Sequence, residues 1–270
     1  MAFQRFVELA ITTKDGESVK INDLRIDFDI ERACGAENNR CVVRVFNLTK
    51  ETSAKITEAG GHILLKAGYK DEATGTIFAG DVLRGSRERV ENDYITSLEA
   101  YDGRTAVMAG FVSLSYAKDT DALTIAQELL KAIGLAYTGT DLIPSGAKYA
   151  HGFCFCGLAT EGLSFLLARY GLKFTIQDET LYIFEGGKET ERTELSIEEG
   201  GDLLTLPQIL NEGEKNLYAF QTKLNPELFC GALISVKSST FKGEVVIKRV
   251  HCVGSNMDGD FSAEIEAEVV

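Results

Sequence analysis

Tryptophan is absent from this chain of 270 residues, and histidine occurs only three times. The first absence removes the usual aromatic platform for a sugar, and the second leaves few candidates for a general base. No Gly-x-Ser-x-Gly motif occurs, so a nucleophile elbow is not encoded. No run of about 18 apolar residues is present, which excludes a membrane-spanning helix. The opening MAFQRFVELAITTKDG lacks a basic region followed by an apolar stretch and a small-residue cleavage site. The expectation is a product without a cleaved export signal. Six cysteines (Cys34, Cys41, Cys154, Cys156, Cys230 and Cys252) are too dispersed for a disulfide scaffold and read as reduced thiols. Basic charge is also scarce. The net charge is −13, and division after Thr105 and Glu185 gives segments of −3, −3 and −7. Phosphate neutralisation of the kind that holds nucleic acid tightly is therefore not expected.

Alternation is abundant. In LRIDFDIE, Leu24, Ile26, Phe28 and Ile30 share one face, with Arg25, Asp27, Asp29 and Glu31 on the other. That is the pattern of a half-buried antiparallel strand. VELAI, RCVVRVF, HILLKAGY, TIFAGDVL and DYITSLEAYDG continue the series, separated by turn-forming clusters. Asn47-Leu48-Thr49 matches a glycosylation sequon, but without an export signal it reads as a joint between a strand and a short helix. Thr49 is placed to cap that helix, and Gly60-Gly61 to end it.

After residue 105 the period changes. TDALTIAQELLKAIG places Ala122, Ala126, Leu129 and Ile133 on one stripe, with Asp119 or Thr120 as cap and Gly134 as terminator. ATEGLSFLLARYG predicts a second helix with Leu163, Leu166, Leu167 and Tyr170 inward. LKFTIQDETLYIFEGG predicts a hairpin. The last segment returns to alternation, most cleanly in FSAEIEAEVV, where Ala263, Ile265, Ala267 and Val269 oppose Glu264, Glu266 and Glu268. The expected fold is mainly β with an α+β insert: a curled sheet or barrel over 1–105, an α+β connector over 106–190 and a second β segment over 191–270. The flanking segments are candidates for two copies of one barrel type.

Candidate chemistry is sparse. His151, Cys154 and Cys156, or His251 and Cys252, lack the paired two-residue spacing of a zinc knuckle. Asp27 with Asp29, and Glu264 with Glu266, are i, i+2 carboxylates that a solvated strand face requires anyway. Asn256, Asp258 and Asp260 lack the register of a calcium loop and read as a turn. Gly60-Gly61, Gly186-Gly187 and Gly200-Gly201 read as turns and caps. No catalytic residue, cofactor-binding residue or metal ligand is assigned.

Two blocks carry a resemblance. CVVRVFNLTKETSAKI with ILLKAGYKDEATGTIFAGDV is similar to the N-terminal barrel of phage tail and baseplate hub proteins, through Asn47-Leu48-Thr49, Ala67-Gly68-Tyr69 and Phe78-Ala79-Gly80. Asp102-Gly103 matches the turn that ends that barrel. LLTLPQILNEGEKNLYAFQTKLNPELFCGALISVKS resembles the return barrel, through Leu224-Asn225-Pro226 and Gly231. VIKRVHCVGSNMDGDFSAEIEA resembles its closing hairpin, with His251 near the turn. Thr205 stands where a glycine is common and Cys230 where a proline often stands.

The resemblance implies two tail-tube-like β-barrels joined by a small α/β module. It implies a non-enzymatic virion protein of the tail or baseplate, made in the host bacterial cytoplasm. Three copies would form a homotrimeric ring that adapts a six-fold tail tube to a three-fold central spike or tail tip. DNA would pass through without specific binding during genome ejection, and Asp27, Asp29, Glu31, Glu264, Glu266 and Glu268 are candidates to face that lumen. The competing readings are a tail-associated peptidoglycan hydrolase using paired carboxylates, and a six-fold tail-tube or distal-tail protein of the same barrel lineage.

Overall fold

The computed structural model describes residues 4–34, 39–185, 191–211 and 216–270, with the side chains of 191–194 and 211 excepted. Gly186-Gly187 and positions 212–215 of the quoted return segment lie outside the described residues. The described chain divides into two compact units, one formed by 4–34, 39–102 and 191–270, the other by 103–185.

Six strands of the first hundred residues appear where alternation predicts them, and β2 is an addition that no predicted run covers. In chain order the strands are β1 (Arg5–Thr12), β2 (Ser18–Ile21), β3 (Ile26–Ala33), β4 (Arg40–Phe46), β5 (His62–Tyr69), β6 (Thr74–Val90, which continues beyond the predicted TIFAGDVL) and β7 (Asp93–Tyr101). Helix α1 (Lys50–Ile56) connects β4 to β5. Its N-cap is Thr49, whose hydroxyl accepts from the Thr52 amide at 3.1 Å. The sequon is therefore a structural joint. Asn47 takes φ 58°, accepts from the Tyr94 amide at 3.0 Å and donates to Asp93 at 2.8 Å. Asparagine tolerates this left-handed conformation better than most residues.

The second unit opens with α2 (Arg104–Ala109), β8 (Phe111–Tyr116) and β9 (Thr120–Asp121), followed by α3 (Ala122–Ile133) and β10 (Ala136–Thr138). It continues with β11 (Lys148–Tyr149), β12 (Phe153–Leu158), α4 (Ala159–Ala168), β13 (Leu172–Gln177) and β14 (Thr180–Glu185). The cap of α3 is Asp121, not Asp119 or Thr120; its carboxylate accepts from the Leu123 amide at 2.8 Å. Asp119 instead turns the chain at φ 65°. Ala122, Ala126, Leu129 and Ile133 are buried as their spacing requires, together with Leu163, Leu166 and Leu167 of α4. Helix α2 was not expected, because six residues offer too little periodicity to detect.

The final segment supplies β15 (Glu191–Glu198), β16 (Gln208–Asn211), β17 (Leu217–Lys223), β18 (Ala232–Lys237), β19 (Lys242–Ser255) and β20 (Phe261–Val269). The Asn256–Asp260 stretch is the turn of the β19–β20 hairpin, closed by Ser255 N–H donating to Asp260 C=O at 3.1 Å.

The two outer segments repeat one topology. The strand order in the first is β3-β4-β7-β6-β5-β1, and in the last it is β16-β17-β20-β19-β18-β15. Each strand of one series thus answers to a strand of the other in the same sequence order, with β2 as an addition. Both series contain an over-long strand, β6 with 17 residues and β19 with 14. Each of these has a register shift against its hairpin partner, between Val82 and Arg84 and between Ile247 and Arg249. The residue after each shift is an arginine paired with a glutamate, Arg84 with Glu99 and Arg249 with Glu266. One difference stands out: β1 pairs antiparallel with β5, whereas β15 pairs parallel with β18.

The two series join edge to edge. Residues Arg249–Ser255 of β19 pair antiparallel with Asp27–Ala33 of β3, so one 13-stranded sheet runs through both. Beneath this seam Gly254 lies under Phe28, and Phe28 meets Phe261 edge-on at 6.0 Å between ring centroids. A Cβ at Gly254 would collide with Phe28 Cζ and stand 2.8 Å from Phe261 Cδ2. Gly254→Ala is therefore expected to destabilise by about 1–3 kcal/mol through overpacking, read as a lower urea midpoint at unchanged m-value. Adding Phe28→Leu should recover part of the loss. An alanine that stabilises, as in an ordinary strand, would show that the contact is not there.

Candidate functional site

Because opposite residues on paired strands share a face, the register fixes what the sheet presents. Asp27, Asp29 and Glu31 of β3 lie on the same face as Arg249, His251 and Val253 of β19, and these as Glu264 and Glu266 of β20. The six acidic residues singled out in sequence, Glu268 included, therefore occupy one continuous polar face.

They do not form a bare carboxylate wall. His251 lies between two of them, with Nε2 3.0 Å from Asp29 and Nδ1 3.9 Å from Glu264. Arg249 reaches Glu31 and Glu266, each at 3.9 Å. Lys248 meets Glu268 at 3.1 Å, and Arg25 meets Asp27 at 3.0 Å. His251 is thus a mid-strand residue of β19, bridging the two outer segments across the seam. Most of these side chains are solvated, so the pairs contribute about 0–1 kcal/mol each and chiefly set register. Asp29, Glu31 and His251 also bring potential metal-ligand atoms within 4.8 Å of one another, but the ion pairs already account for that closeness.

Farther along the same face, Glu99 is a buried carboxylate. It accepts from Arg40 Nε at 2.7 Å, from the Tyr101 hydroxyl at 3.1 Å and from Arg84. The hydrogen bond from Arg40, followed by those from Arg84 and Tyr101, holds this carboxyl below its ordinary range despite partial burial. A shallow cleft of about 410 Å³ lies here, lined by Arg40, Arg44, Arg84, Glu88 and Glu99 among others. A second, of about 310 Å³, is lined by Gln208, Ala219, Gln221 and Glu264. Of its strands, β17 and β20 correspond to β4 and β7 of the first cleft, whereas β16 corresponds to β3.

Several residues of the resemblance blocks are brought together. The Tyr69 hydroxyl donates to Phe261 C=O at 3.1 Å, and the two rings meet edge-on at 5.2 Å. Leu224 N–H donates to the same carbonyl at 3.4 Å. Pro226 packs so closely on Gly75 that a Cβ there would stand 2.9 Å from the proline ring. Asn225 closes its turn by accepting from the Glu227 amide at 2.9 Å, and Gly231 N–H donates to Ile247 C=O at 2.8 Å. Gly68, at φ 149°, lies against the Ala73 carbonyl where no side chain fits. Ala67, Phe78 and Gly80 are buried in the core of β5 and β6, and Leu48 is buried beside them.

The other blocks lie elsewhere. Asn47 and Thr49 hold the β6–β7 hairpin tip and α1. Asp102 is buried and its carboxylate accepts from Asn39 Nδ2 at 3.3 Å, and Gly103 precedes α2. Thr205 accepts from the Gln221 amide at 2.8 Å, and Cys230 is fully buried. All six cysteines are free. Phe261, Gly254 and Arg249 were not singled out in sequence. For Arg249 the signal was the recurrence of an arginine and a glutamate on successive strands of each segment; Gly254 and Phe261 meet Phe28 only through the distant pairing of β3 with β19.

No family model and no curated protein matches the sequence. Solved structures do match the fold. The 43 kDa tail protein of prophage MuSo2 from Shewanella oneidensis aligns with 97% of this chain and 98% of its own, at a TM-score of 0.67 and 12% identity. The tail protein from Neisseria meningitidis aligns with 99% and 97%, at 0.65 and 10%. An Escherichia coli component of the type VI secretion system, described as structurally similar to T4 bacteriophage tail proteins, aligns with 91% and 73%, at 0.59 and 12%.

The Glu99 cluster predicts a pH dependence. Its carboxyl titrates in the folded protein below the ordinary value of 4.5. Its contribution is complete above that value and is lost as pH falls through the lower folded one. Glu99→Gln should cost about 1 kcal/mol at neutral pH and flatten the fall in stability below pH 4.5, measured by urea titration at a series of pH values. An unchanged acid slope would remove Glu99 from the cause. Over nearly its whole length, this chain has the fold of the phage tail proteins.

Proposed function

We propose that the chain is a structural hub subunit of a tail or tail-related particle, without catalytic activity. Three copies form a ring that presents six similar β modules to a six-fold tube and its three-fold outline to a central spike or tail tip. The observation that carries this reading is the repeated strand order, β3-β4-β7-β6-β5-β1 and β16-β17-β20-β19-β18-β15. A subunit that contains one module twice halves the number of chains needed for six positions, so a trimer matches a hexamer. In this reading 1–105 and 191–270 are two tube-like barrels, and 106–190 is the connector between them.

The polar face supports a further part of the proposal. It runs without interruption across the seam between the repeated segments, as the wall of a shared channel must. We assign Asp27, Asp29, Glu31, Glu264, Glu266 and Glu268 to that lumen. Their ion pairs with Arg249, His251 and Lys248 moderate the repulsion of DNA phosphates rather than maximise it.

Light scattering on the purified chain is expected to give a particle of about three times its 29.5 kDa mass, and electron microscopy a ring with six lobes. A particle of six chains would favour the tail-tube alternative, and a stable monomer at every concentration would overturn the hub. Zymography on cell-wall substrate is expected to show no lytic band; a band that vanishes in a carboxylate variant would establish the hydrolase instead.

A further inference from the structure

The seam between the repeated segments has two thiols at one end. Cys34 directly follows β3. Its N–H donates to Lys248 C=O at 2.9 Å, and its Sγ lies 3.5 Å from Ile247 C=O. Cys230 stands two residues before β18. The next residue, Gly231, donates its N–H to the same Ile247 carbonyl at 2.8 Å. The register shift of β19, between Ile247 and Arg249, thus gathers two cysteines that are about 200 residues apart in the chain. Their sulfurs are within hydrogen-bonding reach of each other, with the Cys230 S–H donating to Cys34.

We infer that Cys34 and Cys230 are a redox pair: a peroxide oxidises Cys34, Cys230 resolves it, and the disulfide staples the end of β3 to the loop that enters β18. Ala33, beside Cys34, pairs with Arg249, so the staple locks the seam through which the two segments share one sheet. The inference stands apart from the hub reading, since it concerns a single chain.

The two thiols differ as such a pair must. Cys230 is fully buried, whereas Cys34 is half-buried and open to a small oxidant. The hydrogen bond from Cys230 pulls the Cys34 thiol below its ordinary value; burial opposes the shift and Lys248 adds to it. Burial pushes the Cys230 thiol up, and its bond to Cys34 acts in the same direction. Cys34 is therefore the thiol that meets the oxidant. Cys41 and Cys252, the other cysteines of this unit, are buried, and burial raises Cys41 strongly.

The chemistry balances with hydrogen peroxide. The Cys34 thiolate attacks one peroxide oxygen, the O–O bond breaks, and the departing hydroxide takes up a proton to leave as water. Cys34 is then a sulfenic acid. The Cys230 sulfur attacks the Cys34 sulfur, the S–S bond forms and the S–O bond breaks, and the Cys230 proton leaves with the hydroxyl as a second water. Two thiols lose two electrons and one peroxide gains them. Arg32 and the Val250 N–H favour the negative charge that builds on Cys230 during its attack. Cys34 gives up its bond to Ile247 C=O, and that carbonyl keeps the one from Gly231.

Oxidation of the full chain tests the pair, in a background in which the exposed Cys154 and Cys156 are changed to serine. After a molar excess of hydrogen peroxide and alkylation in denaturant, two of the four remaining thiols should be lost. Mass spectrometry should find the Cys34 and Cys230 peptides linked and two hydrogens lighter. The band should run faster on a non-reducing gel until dithiothreitol is added, and the urea midpoint of the oxidised chain should rise by about 1 M. Cys230→Ala should leave Cys34 as a sulfenic acid that dimedone labels, whereas Cys34→Ser should leave Cys230 unlabelled. Labelling of Cys230 in that variant would overturn the order of attack. The linked peptide is sought without either variant, so a substitution that misfolds does not decide the matter. Four intact thiols, or a link through Cys41 or Cys252, would overturn the pair, and an oxidised chain no more stable than the reduced one would overturn the staple.

Discussion

Each repeated segment depends on one strand that is longer than its neighbour. A hairpin partner covers one edge of β19 for almost its full length, but β18 covers only the first part of the other. The register shift after Ile247 adds twist at the point where β18 stops. The remaining edge is then aimed away from its own segment and accepts β3, more than 200 residues earlier in the chain. Without that overhang the two segments would have separate sheets, and the polar face would be two unconnected stripes.

The seam is specified by several kinds of chemistry at once. Backbone pairing sets direction, and the period of two sets which side chains meet. On the buried side Phe28, Gly254 and Phe261 allow an approach that any larger residue at 254 would block. On the exposed side Arg249 and His251 reach carboxylates of both β3 and β20. A slip by one residue would place Phe28 in water and Asp27 in the core. These agreements across levels are what a single native register requires.

Much of this was legible in the residues. Strict alternation in LRIDFDIE and FSAEIEAEVV gave the strands and their inner faces, and the stripe in TDALTIAQELLKAIG gave α3 with its terminator. Local rules also resolved Asn47-Leu48-Thr49 as a joint, because caps and turns act over a few residues. The cap of α3 was misplaced by one or two positions, since Asp119, Thr120 and Asp121 are all competent and only the chain path chooses among them. Strand partners were not legible. That Glu31 would meet Arg249, or Glu99 meet Arg40, depends on pairings between distant segments, and no local pattern encodes them. The acidic stripes looked uniform in sequence because their counter-charges come from other strands.

The order of synthesis gives the β3–β19 pairing a kinetic side. Strand β3 leaves the ribosome long before Arg249–Ser255 exists, so one of its edges waits unpaired while more than 200 further residues are made. Pairings of such sequence separation are slow to form, and an exposed strand edge meanwhile invites the wrong neighbour. The alternating charges of Arg25, Asp27, Asp29 and Glu31 disfavour a second β3 on a crowded polysome, since like charges would then face each other. The same carboxylates that fix register in the finished sheet therefore act as a guard on the nascent chain.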